Sequence, residues 1–189
     1  MSDLAYVFGY ASLAALSGPA SRPGRLHGFR RFWGVAMNNW EGGEKVKHFL
    51  DQATGKRPRI RVAYLDIQRH DGGSVNGVAI PVDDAGLAAL DAREINYARI
   101  DVSSAFESVA GEGELPAPVR VFTYVGLDAA RERCRRGLAE ANVCVSRDYL
   151  AAVREAFAQL APNALAEFDR TTDPHPFPER DLRVVLPNF

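Results

Sequence analysis

Apolar and polar positions alternate most cleanly over "RIRVAYLDIQ" (59–68), where Ile60, Val62, Tyr64 and Ile67 interleave with Arg59, Arg61, Asp66 and Gln68, the period of a half-buried strand. A turn, "HDGGS", separates it from "VNGVAIPV", so 59–82 reads as a hairpin-like pair of strands. An opening strand begins at Tyr6, Val7 and Phe8, then passes into the small residues Gly9, Ala11 and Ser12. After the Gly- and Pro-containing loop 18–24, "GRLHGFRRFWGVAM" (24–37) carries Leu26, Phe29, Phe32 and Val35 among basic neighbours and reads as one long, bent strand. Polar residues then dominate 38–58, which reads as a long connection of the kind that covers sites.

Helical spacing appears later. Asp83 or Asp84 caps "DAGLAALDARE", with Leu87, Leu90 and Glu94 along one side. Short strands follow at 98–102 and 119–126. Two helices come next, one from Asp128 to about Ala139, the other capped by Ser146 with Tyr149, Leu150, Val153, Phe157 and Leu160 on one face. A proline-rich loop, "TDPHPFPE", leads to a last strand, "LRVVL". Strands neighbour strands and helices gather late, which predicts an α+β fold: a curved, mainly antiparallel sheet or small β-barrel flanked by helices. With 189 residues, 47% of them apolar, and no linker or repeat, residues 1–189 are expected to form a single domain.

Charge narrows the functional classes. The 23 basic and 24 acidic residues leave a net charge of −1, so neither nucleic acid nor an anionic membrane is an expected partner. The arginine-dense "ARERCRRGL" (130–138) has Asp128, Glu132 and Glu140 around it and reads as a solvated helix face. Two cysteines, Cys134 and Cys144, lack ligand spacing, and the four histidines are scattered and read as surface or loop residues, so no metal site is expected. Without a basic, apolar leader or a long apolar run, the expected location is cytoplasmic.

Covalent-catalysis motifs are missing. "GYASLA" departs from G-x-S-x-G because Ala14 stands two residues after Ser12, and no obvious histidine partners that serine, which otherwise reads as a turn serine. In "LDAREINYARIDV" (90–102), Asp91 and Glu94 share a helix face, and Glu94 stands where the helix ends. The helix dipole disfavours a carboxylate there and raises its pKa. Tyr97 and Arg99 fall on one side of the following strand, while Arg93 and Arg99 can equally pair with these acids on a solvated surface.

Four segments together resemble one superfamily. "VFGYASL" is similar to the Phe-x-Tyr-Gly-Ser-Leu strand and loop of the γ-glutamylcyclotransferase superfamily, which includes the ChaC-like and γ-glutamylamine cyclotransferase branches. "VNGVAIPVDDAGLAALDAREINYARIDV" resembles its Gly-Val-x-x-x-Val strand, Leu-Asp-x-x-Glu helix and Tyr-x-Arg-x-x-Val strand. "VFTYVG" stands where the family has a tyrosine-bearing strand, and "SRDYLAAVREAF" resembles its C-terminal Ser/Pro-x-x-Tyr-Leu helix.

The resemblance implies a catalytic Glu94, a substrate-cradling loop at Tyr10, Ala11, Ser12 and Leu13, and pocket positions at Tyr97 and Tyr124. It implies release of 5-oxoproline from a small γ-glutamyl amine, amino acid or peptide: the substrate's α-amine attacks its own γ-carbonyl, so neither a protein nucleophile, a metal nor a cofactor is needed. Good geometry in such an internal attack is worth effective molarities on the order of 10⁵ M. One carboxylate of raised pKa can take the ammonium proton and return it to the leaving amine, and small residues at the strand end would free backbone N–H groups for an oxyanion.

Ala11 replaces the family's loop glycine. A positive φ there would cost roughly 1–2 kcal/mol; a close approach would instead narrow the pocket. The Pro-Gly segment typical of the ChaC branch is not evident, which counts against glutathione. A non-catalytic binding or regulatory protein on this fold, and a hydrolase or acyl-transfer enzyme using the same pocket, stay open. So does oligomeric state, a homodimer included, because the apolar late helix suits a core or a partner.

Overall fold

The computed structural model describes residues 5–42, 46–109, 115 and 119–186. Two long strands carry the architecture, because both place apolar side chains at alternating positions against a common interior. Strand β2 (Arg22–Asn38) runs antiparallel to β4 (Arg61–Val82) along nearly its whole length. The hairpin expected over 59–82 is therefore one continuous strand. Its turn-like residues form a bulge: pairing steps from His27–Ser74 to Phe29–Arg69, with Gly28 at φ 76° and Gly72 at φ 73°. Both halves of β4 bond to the same neighbour, so the chain kinks without reversing.

Strands β1 (Ala5–Gly9), β5 (Tyr97–Asp101), β6 (Phe106–Ser108) and β7 (Arg120–Gly126) extend this sheet in the order β5-β7-β1-β4-β2-β6. β1 pairs with β7 in parallel and with β4 antiparallel. β8 (Val143–Ser146) adds a parallel pairing to β4, and the short β9 (Glu179–Arg180) pairs with β8. The mixed sheet curls into a half-barrel flanked by four helices, so the fold is α+β with a curved sheet.

The helices are α1 (Asp84–Arg93), α2 (Asp128–Ala139), α3 (Arg147–Leu160) and α4 (Ala164–Thr171). Asp83 caps α1 by accepting the Gly86 N–H at 2.7 Å, and Ser146 caps α3 by accepting that of Tyr149 at 3.4 Å. α3 turns Val153, Ala156 and Phe157 inward, where they join Phe8, Leu26, Phe29, Trp33, Leu65 and Phe168 in the main cluster. Arg31 is fully buried there. Its guanidinium stacks on Phe157 and Phe168 (5.0 and 4.4 Å from the ring centres) and donates to Asn76 and to Thr172 Oγ1 (3.1 Å), fastening α3 and α4 to the sheet. Burial lowers its pKa to about 9.

Three further expectations are corrected. The 38–58 connection contains β3 (His48–Asp51), which pairs antiparallel with β10 (Leu182–Val185). Buried Asn39 pins it: its side chain donates to the Phe49 and Pro58 carbonyls (2.9 and 3.0 Å) and accepts the Phe49 N–H at 2.7 Å. His48, expected as a surface or loop residue, is buried in β3. The arginine-dense helix is solvated on one side only. Arg131 donates to fully buried Asp66 at 2.7 Å and Arg133 to the Ala36 carbonyl at 2.9 Å, whereas Arg135 and Arg136 pair with Glu132 at the surface.

Candidate active site

Strand β1 ends at Gly9 because the chain folds back there too tightly for a side chain. A Cβ at Gly9 would stand 2.8 Å from Ala14 N and 2.9 Å from the Leu13 carbonyl carbon. The next residues form a 3-10 turn, Ser12–Leu16, opened by the Ala14 N–H donating to the Ala11 carbonyl at 2.9 Å. Ala11 has φ −144°, so this backbone does not demand a glycine, and its buried methyl joins the interior cluster. The close approach belongs to Gly9.

Around this loop the side chains divide. Tyr10 is buried, and its hydroxyl donates to the Tyr124 carbonyl at 2.8 Å. Leu13 joins Val7, Phe122 and Tyr124 in a cluster beneath α1 and lines an apolar groove with Leu16, Ile80, Leu90 and Arg93. Ser12 lies near the Tyr149 hydroxyl of α3 and lowers its pKa slightly against the larger, opposite effect of burial.

Glu94 terminates α1. Its backbone N–H closes the last helical bond to Leu90 (2.9 Å), its φ and ψ of −88° and 48° leave the helix, and its carbonyl accepts the Tyr97 N–H at 2.8 Å, turning the chain into β5. The carboxylate is 16% exposed and lies 3.4 Å from Arg93 Nε. Its pKa is raised, first by burial, against the opposing charges of Arg93 and Lys47. Desolvation is thus the physical cause of the elevation expected for this carboxyl, where sequence reasoning invoked the helix dipole. The charge of Glu94 is felt by Tyr10, Tyr64, Tyr97, Tyr124 and Tyr149, whose own pKa values burial pushes up.

The structure therefore brings Glu94, Tyr10, Ser12 and Tyr97 to one region, with Tyr97 donating to the Leu65 carbonyl at 2.9 Å. Asp91 goes elsewhere: it pairs with Arg99 at 3.3 Å and accepts the Tyr124 hydroxyl at 2.8 Å. Tyr124 thus offers its carbonyl to Tyr10 and its hydroxyl to α1.

Sequence reasoning missed two tyrosines and a lysine. Tyr149 looked like one more residue of an apolar helix stripe, yet its ring stands edge-on to Tyr64 (5.0 Å between centres) and Trp33 (6.1 Å) while its hydroxyl meets Ser12. Tyr64 alternates like any strand residue. Lys47 lies in the segment preceding β3, and its ammonium stands 4.8 Å from the Tyr64 ring centre. The signal for Tyr149 was a phenol on an otherwise apolar face, since a buried hydroxyl requires a partner. Among the described residues no group of three or more His, Cys, Asp or Glu side chains could hold a metal ion, and no helix is long and apolar enough to cross a membrane.

No protein-family model and no curated protein sequence matches the chain. Solved structures do. One is a γ-glutamyl cyclotransferase, 14% identical, aligned over 93% of this chain and 91% of that one with a TM-score of 0.52. Another is an uncharacterized protein from Homo sapiens, 15% identical over 95% and 94% of the two chains, with a TM-score of 0.53. At these identities the similarity is one of backbone architecture across nearly the whole chain, and the protein accordingly has the γ-glutamyl cyclotransferase-like fold.

Proposed function

We propose that the protein is a γ-glutamyl cyclotransferase that releases 5-oxoproline from a small γ-glutamyl amine, amino acid or peptide. The observation that carries this reading is the withdrawn carboxyl of Glu94, of raised pKa, in a tyrosine-lined region beside the Gly9–Leu16 loop. An internal aminolysis asks for little else. The substrate supplies its own nucleophile, and the protein folds it so that the α-amine meets the γ-carbonyl.

Glu94 then removes a proton from the α-ammonium, the nitrogen adds to the γ-carbonyl, and backbone N–H groups at Ser12 and Leu13 stabilise the oxyanion. Collapse of the tetrahedral intermediate breaks the amide C–N bond as Glu94 returns the proton to the leaving nitrogen. The ring nitrogen gives up its second proton by the same route, so that 5-oxoproline leaves neutral at nitrogen and the amine leaves as its ammonium. A carboxyl held above its ordinary value suits both transfers, because it is a stronger base than a solvated glutamate and still a competent acid. Tyr10, Tyr97 and Tyr149 exclude water and fix the substrate's stem.

The reading is tested by incubating wild-type protein with γ-glutamyl amines, amino acids and peptides, each alongside its α-N-acetylated counterpart, and quantifying 5-oxoproline. Product is expected from free-amine substrates alone. Release of glutamate from the free-amine form and of N-acetylglutamate from the acetylated form at equal rates would mean hydrolysis by water, and binding without any product would mean a non-catalytic protein on the same fold.

A further inference from the structure

We propose that Lys47 is the specificity determinant of this site and that it recognises an anionic leaving group, the carboxylate of a γ-glutamyl amino acid or peptide, in preference to a neutral γ-glutamyl amine. This rests on the cyclotransferase reading and narrows its three substrate classes.

The argument begins with where the ammonium stands. Lys47 immediately precedes β3, whose position is fixed by Asn39 and by pairing to β10. Its Nζ lies over the Tyr64 ring at 4.8 Å and near Phe49 at 5.7 Å from the ring centres. Tyr64 stands edge-on to Tyr149, and Tyr149 meets Ser12. One contiguous row of side chains thus joins the cradle loop to the lysine.

Sixteen ion pairs are formed among the described residues, and none includes Lys47. The acid whose charge acts on it is Glu94, with Arg93 opposing. The residue as a whole is open to solvent, so a ligand can reach it, yet protein packs closely enough around the ammonium to lower its pKa. A partly desolvated cation that forms no ion pair among the described residues is costly, and a bound anion lowers that cost.

Substrate chemistry says which anion. Glu94 must reach the leaving nitrogen to protonate it. In a γ-glutamyl α-amino acid, the carboxylate is two bonds from that nitrogen, next to the atom Glu94 protonates, and Glu94 is the acid whose charge acts on Lys47. A γ-glutamyl alkylamine carries only hydrogen there.

The test uses a matched pair, γ-glutamyl-alanine and γ-glutamyl-ethylamide, which differ only by the carboxylate. Wild type should favour the alanine compound by about tenfold to a hundredfold in kcat/KM for 5-oxoproline release, the range of a charge-assisted hydrogen bond. Lys47→Gln should collapse that ratio toward one, mainly through KM of the alanine compound, and Lys47→Arg should keep most of it. Because the readout is a ratio within each variant, partial loss of folded protein does not alter it. A wild-type ratio near one, or a preference surviving in Lys47→Gln, overturns the assignment. Equal loss on both substrates would also overturn it, making Lys47 only a tuner of Glu94. Absence of 5-oxoproline from both compounds and from the wider panel would refute the cyclotransferase reading itself, a result distinct from failure at Lys47 alone.

Discussion

Replacing Ala11 by glycine asks whether the cradle loop is strained by a residue foreign to its backbone. The Ala11 backbone lies outside the left-handed region that favours glycine. Ala11 sits at φ −144°, its carbonyl accepts the Ala14 N–H, and its methyl, on a residue 9% exposed, packs in the interior cluster. Glycine therefore relieves no left-handed strain. It forfeits burial of one methyl, about 0.8 kcal/mol, and adds unfolded-state freedom worth about 0.5–1 kcal/mol. The variant should lose roughly 1.5 kcal/mol, which for a chain of 189 residues lowers Tm by about 3–6 °C. Thermal unfolding followed by circular dichroism, with urea titration at one temperature, measures both quantities. A Tm that rises would refute the reasoning, since only a strained backbone or an overpacked methyl could produce it.

Gly9→Ala should be worse than Ala11→Gly despite adding only a methyl, because that methyl meets backbone at 2.8 Å; overpacking of this kind costs about 1–3 kcal/mol, and a urea midpoint equal to wild type would contradict it. Asp66→Ala removes the acceptor of the Ile67 and Gly126 N–H groups (2.8 Å each) and of Arg131, and should cost about 3–5 kcal/mol by denaturant titration; a loss under about 1 kcal/mol would mean the buried network is not cooperative. Glu94 predicts a pH signature. Folding raises its pKa above 4.5, so its favourable contribution is present below that value and is lost as pH rises through the folded pKa. Glu94→Gln should therefore gain stability relative to wild type as pH rises from the unfolded pKa through the raised folded one, and a difference constant with pH would remove the claim that the carboxyl is desolvated. Arg93 and Lys47, whose charges oppose the rise, limit how large that gain is.

Legibility in the sequence followed locality. Helices α1, α2 and α3 were readable because Asp83 and Ser146 are caps and because α3's apolar stripe is periodic. Strand β8 was not, since "VCVS" is short and has no turn signal of its own; its strand identity comes from pairing with β4 and β9. The helix at Ala164–Thr171 was missed for a similar reason: it is short, and its Phe168 finds a reason to be buried only against Arg31 and Phe157. "HDGGS" carried a turn signal that its long antiparallel neighbour overrode.

At the candidate site, residue types alone made Glu94 one acid among many beside Arg93 and Arg99, and those ion pairs do form on part of this surface. Resemblance singled Glu94 out; the structure adds its withdrawal from water. Tyr149 and Lys47 could not have been found by spacing, because what distinguishes them is proximity to Ser12 and Tyr64 across elements far apart in the chain.

The central claim is that Glu94 moves the protons of an internal aminolysis. The most direct test is the rate of 5-oxoproline formation by wild type and by Glu94→Gln on the best γ-glutamyl substrate, under saturating conditions and with binding measured separately. The account predicts that Glu94→Gln still binds substrate but forms product about 10²–10⁴-fold more slowly, the usual contribution of a general acid–base. Product formed at the wild-type rate by Glu94→Gln would contradict it.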